Sequence, residues 1–222
     1  MKKHLLYFLI LLGSLSYGQK LDLQLLKNKT PRNIGPAGMS GRITAIDAVT
    51  DNPHIIYAGS ASGGLWKSTS GGVTWDPVFE NEATASIGSV AIQQSNPSVV
   101  WVGTGEGNPR NSLNGGFGIY KSLDGGKTWK CMGLEKTRHI YRVRINPSNP
   151  DIVYAAAIGS PWGEHEERGV YRTKDGGKTW EKQSDIKGPI KFFEPTVVEV
   201  LPGKLLIYLR SQSKYIWKIV SN

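Results

Sequence analysis

Across 222 residues the chain carries 27 lysines and arginines against 18 aspartates and glutamates, a formal charge of +9, with a single cysteine. That one cysteine, Cys131, excludes an internal disulfide and a cysteine-type metal site. The cations are scattered through turns and strand faces rather than gathered in a stripe, which excludes a nucleic-acid groove and leaves solubility and weak attraction for anions.

The first element is an export signal. Met1-Lys2-Lys3 is a basic start, Leu5 to Leu12 is an unbroken apolar run, and Ser16-Tyr17-Gly18 places small residues at the ends of a cleavage triplet. A bilayer span takes about 20 apolar residues, so the run predicts a cleaved signal over 1–18 rather than a stable membrane insertion. No cysteine follows it to take a lipid. The expected location is secreted, or periplasmic or extracellular, through the Sec route. Residues 19–40 read as a leader segment.

From residue 41 the chain repeats itself. Ser68-Thr-Ser-Gly-Gly-Val-Thr-Trp75, Ser122-Leu-Asp-Gly-Gly-Lys-Thr-Trp129 and Thr173-Lys-Asp-Gly-Gly-Lys-Thr-Trp180 put their tryptophans 54 and 51 residues apart. Each phrase is preceded by three strand-like runs, of which Arg42–Val49, Ile55–Ala58 and Gly64–Ser68 are the first set, with Asn52-Pro53, Asn96-Pro97 and Asn149-Pro150 as turns. Four strands per unit at this period is the pattern of propeller blades. The expected fold is an all-β β-propeller with four-stranded antiparallel blades at about 41–80, 85–133, 138–184 and 192–222.

The last unit reads Glu194–Val200, Lys204–Arg210 and Tyr215–Val220 and carries no such phrase. The propeller is therefore expected to be incomplete, at about three and a half blades, and the chain a fragment.

The repeated phrase has a mechanical reading. Asp124 and Asp175 can turn their carboxylates onto turn amides, and the paired glycines, with Gly72, Gly126 and Gly177 second in each pair, supply positive φ. Trp75, Trp129 and Trp180 open the fourth strands. Ser70 stands where the other two units have aspartate, so the first turn is expected to be held more weakly.

This Ser-x-Asp-x-Gly-x-Thr-Trp pattern resembles the Asp-box, or BNR repeat, of sialidases, xyloglucan-cleaving glycoside hydrolases and sortilin-type receptor ectodomains. In those folds the box lies on the outer rim, which implies a structural role for Ser68, Ser122 and Thr173 and their boxes. The stretch from Arg32 through Trp180 is similar to large exported bacterial BNR or sortilin-like proteins, through Gly35-Pro36, Ser40-Gly-Arg-Ile43, Val102-Gly-Thr-Gly-Glu106, Arg110-Asn-Ser112 and Glu167-Arg-Gly-Val-Tyr171. The resemblance implies a carbohydrate-active, glycan-binding protein that is catalytically incomplete as it stands. The alternative is a non-catalytic, sortilin-like scaffold for protein or peptide.

The last blade, Phe193-Glu-Pro-Thr-Val-Val-Glu with Gly203–Arg210, is similar to a mid-propeller sialidase blade. By that resemblance Glu194 is the base that partners a tyrosine nucleophile, and Arg210 grips the carboxylate of a sialylated ligand. Arg42 stands for a first clamp arginine, although no proline follows Ile43. The loop Gly103–Gly116 carries Glu106 and Arg110 toward a channel mouth, and Trp162, in the loop Ser160–Glu167, offers a ring for stacking on sugar. No metal and no cofactor is expected.

Overall fold

The computed structural model describes residues 42–108, 112–184, 192–201, 204–211 and 216–220, and beyond residue 183 it is the backbone that is described. The expected signal peptide and leader lie outside the described residues. Among the described residues the chain is all-β apart from one turn of 3-10 helix, Glu135–Thr137, and no helix is long and apolar enough to cross a membrane.

Three sheets have four antiparallel strands in sequential order. The first blade is β1 (Ile43–Val49), β2 (Asn52–Ser60), β3 (Leu65–Ser68) and β4 (Asp76–Pro77). The second is β5 (Ile87–Ile92), β6 (Val100–Thr104), β7 (Ile119–Ser122) and β8 (Lys130–Cys131). The third is β9 (Ile140–Ile145), β10 (Val153–Ala157), β11 (Gly169–Thr173) and β12 (Glu181–Ser184). The fourth blade has three strands, β13 (Phe192–Leu201), β14 (Lys204–Ser211) and β15 (Ile216–Val220). These are consecutive blades of a β-propeller.

Blades meet through their first strands, β1 against β5 and β5 against β9, with β2 and β6 completing each interface. The sequence shows why. Every residue of β5 and β6 is buried, because successive side chains point to opposite faces and both faces are covered. Val90, Ile92, Val100 and Val102 join Tyr57, Leu65 and Phe79 in one core, between the first and second blades. Ala91, Val99 and Trp101 join Ile140, Val143, Val153 and Tyr171 in the other. Burial of each Val or Ile contributes about 1.5–3 kcal/mol, so the apolar runs that made β6 legible as a strand are also what hold the blades together.

The register repeats from blade to blade. Ile43 faces Ser60, Ile87 faces Thr104 and Ile140 faces Ala157, and in each case the pairing slips at once through a bulge. Ile87 and Ile140 each press onto a glycine of the preceding blade. A Cβ on Gly59 would lie 2.5 Å from Ile87 Cγ2, and one on Gly103 2.6 Å from Ile140 Cγ2.

The boxes form the opposite ends of the blades and act as clasps. In the second, Ser122 Oγ accepts Gly126 N–H at 2.8 Å, while Asp124 accepts Thr128 N–H at 2.9 Å and Thr128 Oγ1–H at 2.6 Å. The third repeats this with Thr173, Asp175, Gly177 and Thr179, at 2.9, 3.0 and 2.6 Å. These threonine bonds hold both carboxyls well below the usual aspartate range. In the first, Ser68 Oγ accepts Gly72 N–H, but Ser70 offers Thr74 only a neutral hydroxyl. Paired positive φ at Gly125 and Gly126, 70° and 88°, closes the turn.

Each clasp also reaches across the interface. Trp129 Nε1–H donates to Val78 O at 2.6 Å, and Trp180 Nε1–H to Met132 O at 2.7 Å, each acceptor lying in the preceding blade. In return Lys67 Nζ donates to Gly125 O and Lys121 Nζ to Gly176 O, at 2.8 and 3.2 Å. Each lysine lies over the second-strand aromatic ring beneath it, Tyr57 or Trp101. Trp75, in the first blade, donates to its own Gly72 O instead.

Candidate functional site

Because the boxes occupy one end of each of the first three blades, the first strands start at the other, called here the head face. It carries the connectors between blades and the long loops between second and third strands. Arg42 stands just before β1, Glu106 just beyond β6, and Trp162 in the loop between β10 and β11. In the fourth blade the register places Glu194 and Arg210 at the corresponding end, Arg210 opposite Phe193, with Glu194 in the bulge between the Phe193 and Thr196 pairings. The side chains of Glu194 and Arg210, and all of Arg110, lie outside the described residues.

The tightest constellation joins Arg42 and Glu106. Glu106 is 0 % exposed. Its Oε1 accepts both Nε–H of Arg42, at 3.1 Å, and an Nη2–H of the same guanidinium. Its backbone is pinned as firmly: Ser86 Oγ accepts its N–H at 3.0 Å, and His139 Nδ1–H donates to its carbonyl at 2.7 Å. That bond fixes the proton of His139 on Nδ1, and burial pushes the imidazole below the usual histidine range. Glu106 Oε2 is buried without a hydrogen-bond partner.

Three blades therefore converge here, through Arg42 of the first, Ser86 and Glu106 of the second and His139 of the third. The Arg42 side chain remains 36 % exposed while Glu106 is sealed. Of the pair, the arginine is the partner that a ligand can touch, and the glutamate sets where it points.

The second constellation is the loop from Ile158 to Arg168. Arg168 donates Nε–H to Ile158 O at 2.8 Å, and Nη2–H groups to Ser160 O and Gly163 O, each at 2.7 Å. Its backbone N–H closes the loop onto His165 O at 3.0 Å. Tyr171 O–H, from β11, reaches Glu167 O at 2.9 Å. Trp162 stands 66 % exposed at the tip. In the first two blades the loops between second and third strands place Gly63 and Asn114 at this face, and the first of those loops holds no aromatic residue.

Among the described residues no group of three His, Cys, Asp or Glu side chains could hold a metal ion. A cleft of about 500 Å³ lies against the second box, lined by Asp76, Phe79, Glu82, Lys127 and Trp129 among others.

Residues 171–182, the third box and its flanking strands, match the BNR/Asp-box repeat family. The repeat is a BNR/Asp-box. A xyloglucanase of Acetivibrio thermocellus is 35 % identical over 136 residues, which cover 55 % of this chain and 16 % of the enzyme. An ancestral GH74 enzyme superposes with a TM-score of 0.56 at 19 % identity, over 84 % of this chain and 26 % of the other. YCF48 bound to a D1 peptide superposes with 0.51 at 17 % identity, over 80 % and 53 %. The chain spans about a fifth or less of the curated xyloglucanases it matches. These likenesses support a BNR-repeat propeller. The Asp-box residues are the clasps described above, so the matched motif accounts for blade architecture and not for ligand contact.

Sequence reading named Arg42, Glu106 and Trp162 separately; the structure joins the first two and gives the third its own loop. It missed His139 and Arg168. His139 has no sequence signal, since it is a single histidine in the connector between the 3-10 turn and β9. Arg168 does have one: it is the lone cation after Glu164, Glu166 and Glu167 in a loop full of carbonyls that need donors.

Proposed function

We propose that these blades form the glycan-binding part of an exported, glycoside-hydrolase-like propeller protein, with the ligand lying across the head face. The similarity to the xyloglucanase of Acetivibrio thermocellus, 35 % over 136 residues, carries this reading. The ligand class it favours is a neutral, xyloglucan-like oligosaccharide. Export rests on the signal-like residues 1–18.

Arg42 is the hydrogen-bond donor of the site and Trp162 its stacking surface. The sialylated ligand and the base role of Glu194 rest on the resemblance of the last blade alone. An aryl glycoside assay of the chain and of Glu194→Gln tests that role: equal rates, or none from either, removes it.

Calorimetric titration with xyloglucan oligosaccharide, sialyllactose and a set of extended peptides tests the reading. Saturable heat with xyloglucan oligosaccharide alone is the expected result. Heat with peptide alone overturns it in favour of a peptide scaffold, the second reading, which the peptide-bound YCF48 structure favours.

A further inference from the structure

We propose that the Ile158–Arg168 loop is a preorganised subsite for an uncharged sugar ring, with Trp162 as its stacking face and Arg168 as the positioning residue that holds that face in place. This rests on the glycan-binding reading above and names the subsite within it.

A lone exposed aromatic is ordinary on a protein surface; what sets Trp162 apart is the support behind it. Arg168 spends one guanidinium on three carbonyls, those of Ile158, Ser160 and Gly163, on both sides of the tryptophan. A planar fork can bridge three acceptors this way, where the point charge of lysine cannot. The guanidinium is half-buried, and burial pushes it below the usual arginine range, so it serves the loop rather than the solvent.

Two further contacts fix the base. The His165 ring packs on Gly159, where a Cβ would lie 2.7 Å away, and Gly159 holds φ of 61°. Lys182, on β12, donates to Glu166 O. A loop ordered in advance gives up little conformational freedom on binding.

The chemistry favours an uncharged sugar. The face of an indole is electron-rich and attracts the C–H side of a pyranose, a contact that needs no charge. The exposed charged side chains that follow the tryptophan in the loop are the carboxylates of Glu164 and Glu166. They accept hydrogen bonds from sugar hydroxyls and repel an anionic sugar.

The test uses the whole chain labelled with 5-fluorotryptophan, whose Trp162 line is identified by its loss in Trp162→Phe. Xyloglucan oligosaccharide is expected to shift that line. Trp162→Ala is expected to weaken binding about tenfold, which corresponds to about 1.4 kcal/mol, and Trp162→Phe to retain part of it. Arg168→Lys is expected to narrow the Trp162 line without ligand and to weaken binding several-fold with melting temperature nearly unchanged. Sialyllactose is expected to leave the line in place.

Binding by wild type that Trp162→Ala leaves unaltered overturns the subsite while the glycan-binding reading stands. So does a Trp162 line as narrow in wild type as in Arg168→Lys, or one shifted equally by sialyllactose. Failure of wild type to bind any uncharged oligosaccharide overturns both. Should Arg168→Lys not fold, Trp162→Ala alters only an exposed side chain and decides the matter.

Discussion

Glu106 shows how one side chain changes meaning between sequence and structure. In the sequence it is an acid in a long Gly/Asn-rich loop, a reasonable ligand contact. In the fold it is sealed, and its carboxylate belongs to Arg42, 64 residues earlier. Removing it strands the guanidinium and deletes a contact between blades. Breaking a fully buried pair costs about 3–5 kcal/mol. Because Arg42 is partly exposed, Glu106→Ala is expected to cost about 2 kcal/mol in chemical denaturation, with Glu106→Gln milder. A second residue-scale case is Ser70. Asp124 and Asp175 each accept two bonds from a threonine, whereas the Ser70 hydroxyl exchanges with Thr74 as a neutral partner. Ser70→Asp is expected to raise the melting temperature by about 1–3 °C, and Asp124→Ala to lower it, in differential scanning calorimetry.

At the scale of elements, the blades were legible because the strands obey local rules. The apolar runs of β2, β6 and β10, the Asn-Pro turns and the Gly-Gly boxes each specify their own geometry. What the sequence did not disclose is everything that crosses an interface. Trp129 and Trp180 are expected from the sequence only to open the fourth strands, yet each ties itself to a carbonyl of the blade before. Lys67 and Lys121 sit within the short third strands with nothing local to mark them, yet each caps the next box. Such contacts join residues far apart in the chain, 51 between Val78 and Trp129 and 58 between Lys67 and Gly125, and no local pattern encodes them. Gly103 is a sharper instance: its need for no side chain comes from Ile140, in the next blade. Gly103→Ala is expected to cost about 1–3 kcal/mol in urea unfolding, the usual penalty for overpacking. Ala156 stands at that place in the third blade.

For the molecule as a whole, the groups that shift their titration lie at both ends of the blades, His139 at the head face and Asp124 and Asp175 in the boxes. His139 binds a proton less readily folded than unfolded, because burial disfavours the cation. The stability this contributes is complete above the ordinary histidine value of 6.5 and is lost as pH falls below it. Asp124 and Asp175 are also depressed, so their contribution is complete above the ordinary aspartate value of 3.8 and fades as pH falls further. Melting temperature is therefore expected to fall in two stages on acidification. His139→Asn, which keeps a donor for Glu106 O, is expected to remove the upper stage and leave the lower. The division of labour between the two ends is the central point: boxes clasp blades, and the head face is the proposed ligand surface. Backbone amide chemical-shift mapping with xyloglucan oligosaccharide tests it most directly. Perturbations gathered in 61–64, 105–118 and 158–168 are the expected result. Perturbations gathered in the boxes at 68–75, 122–129 and 173–180 would contradict it.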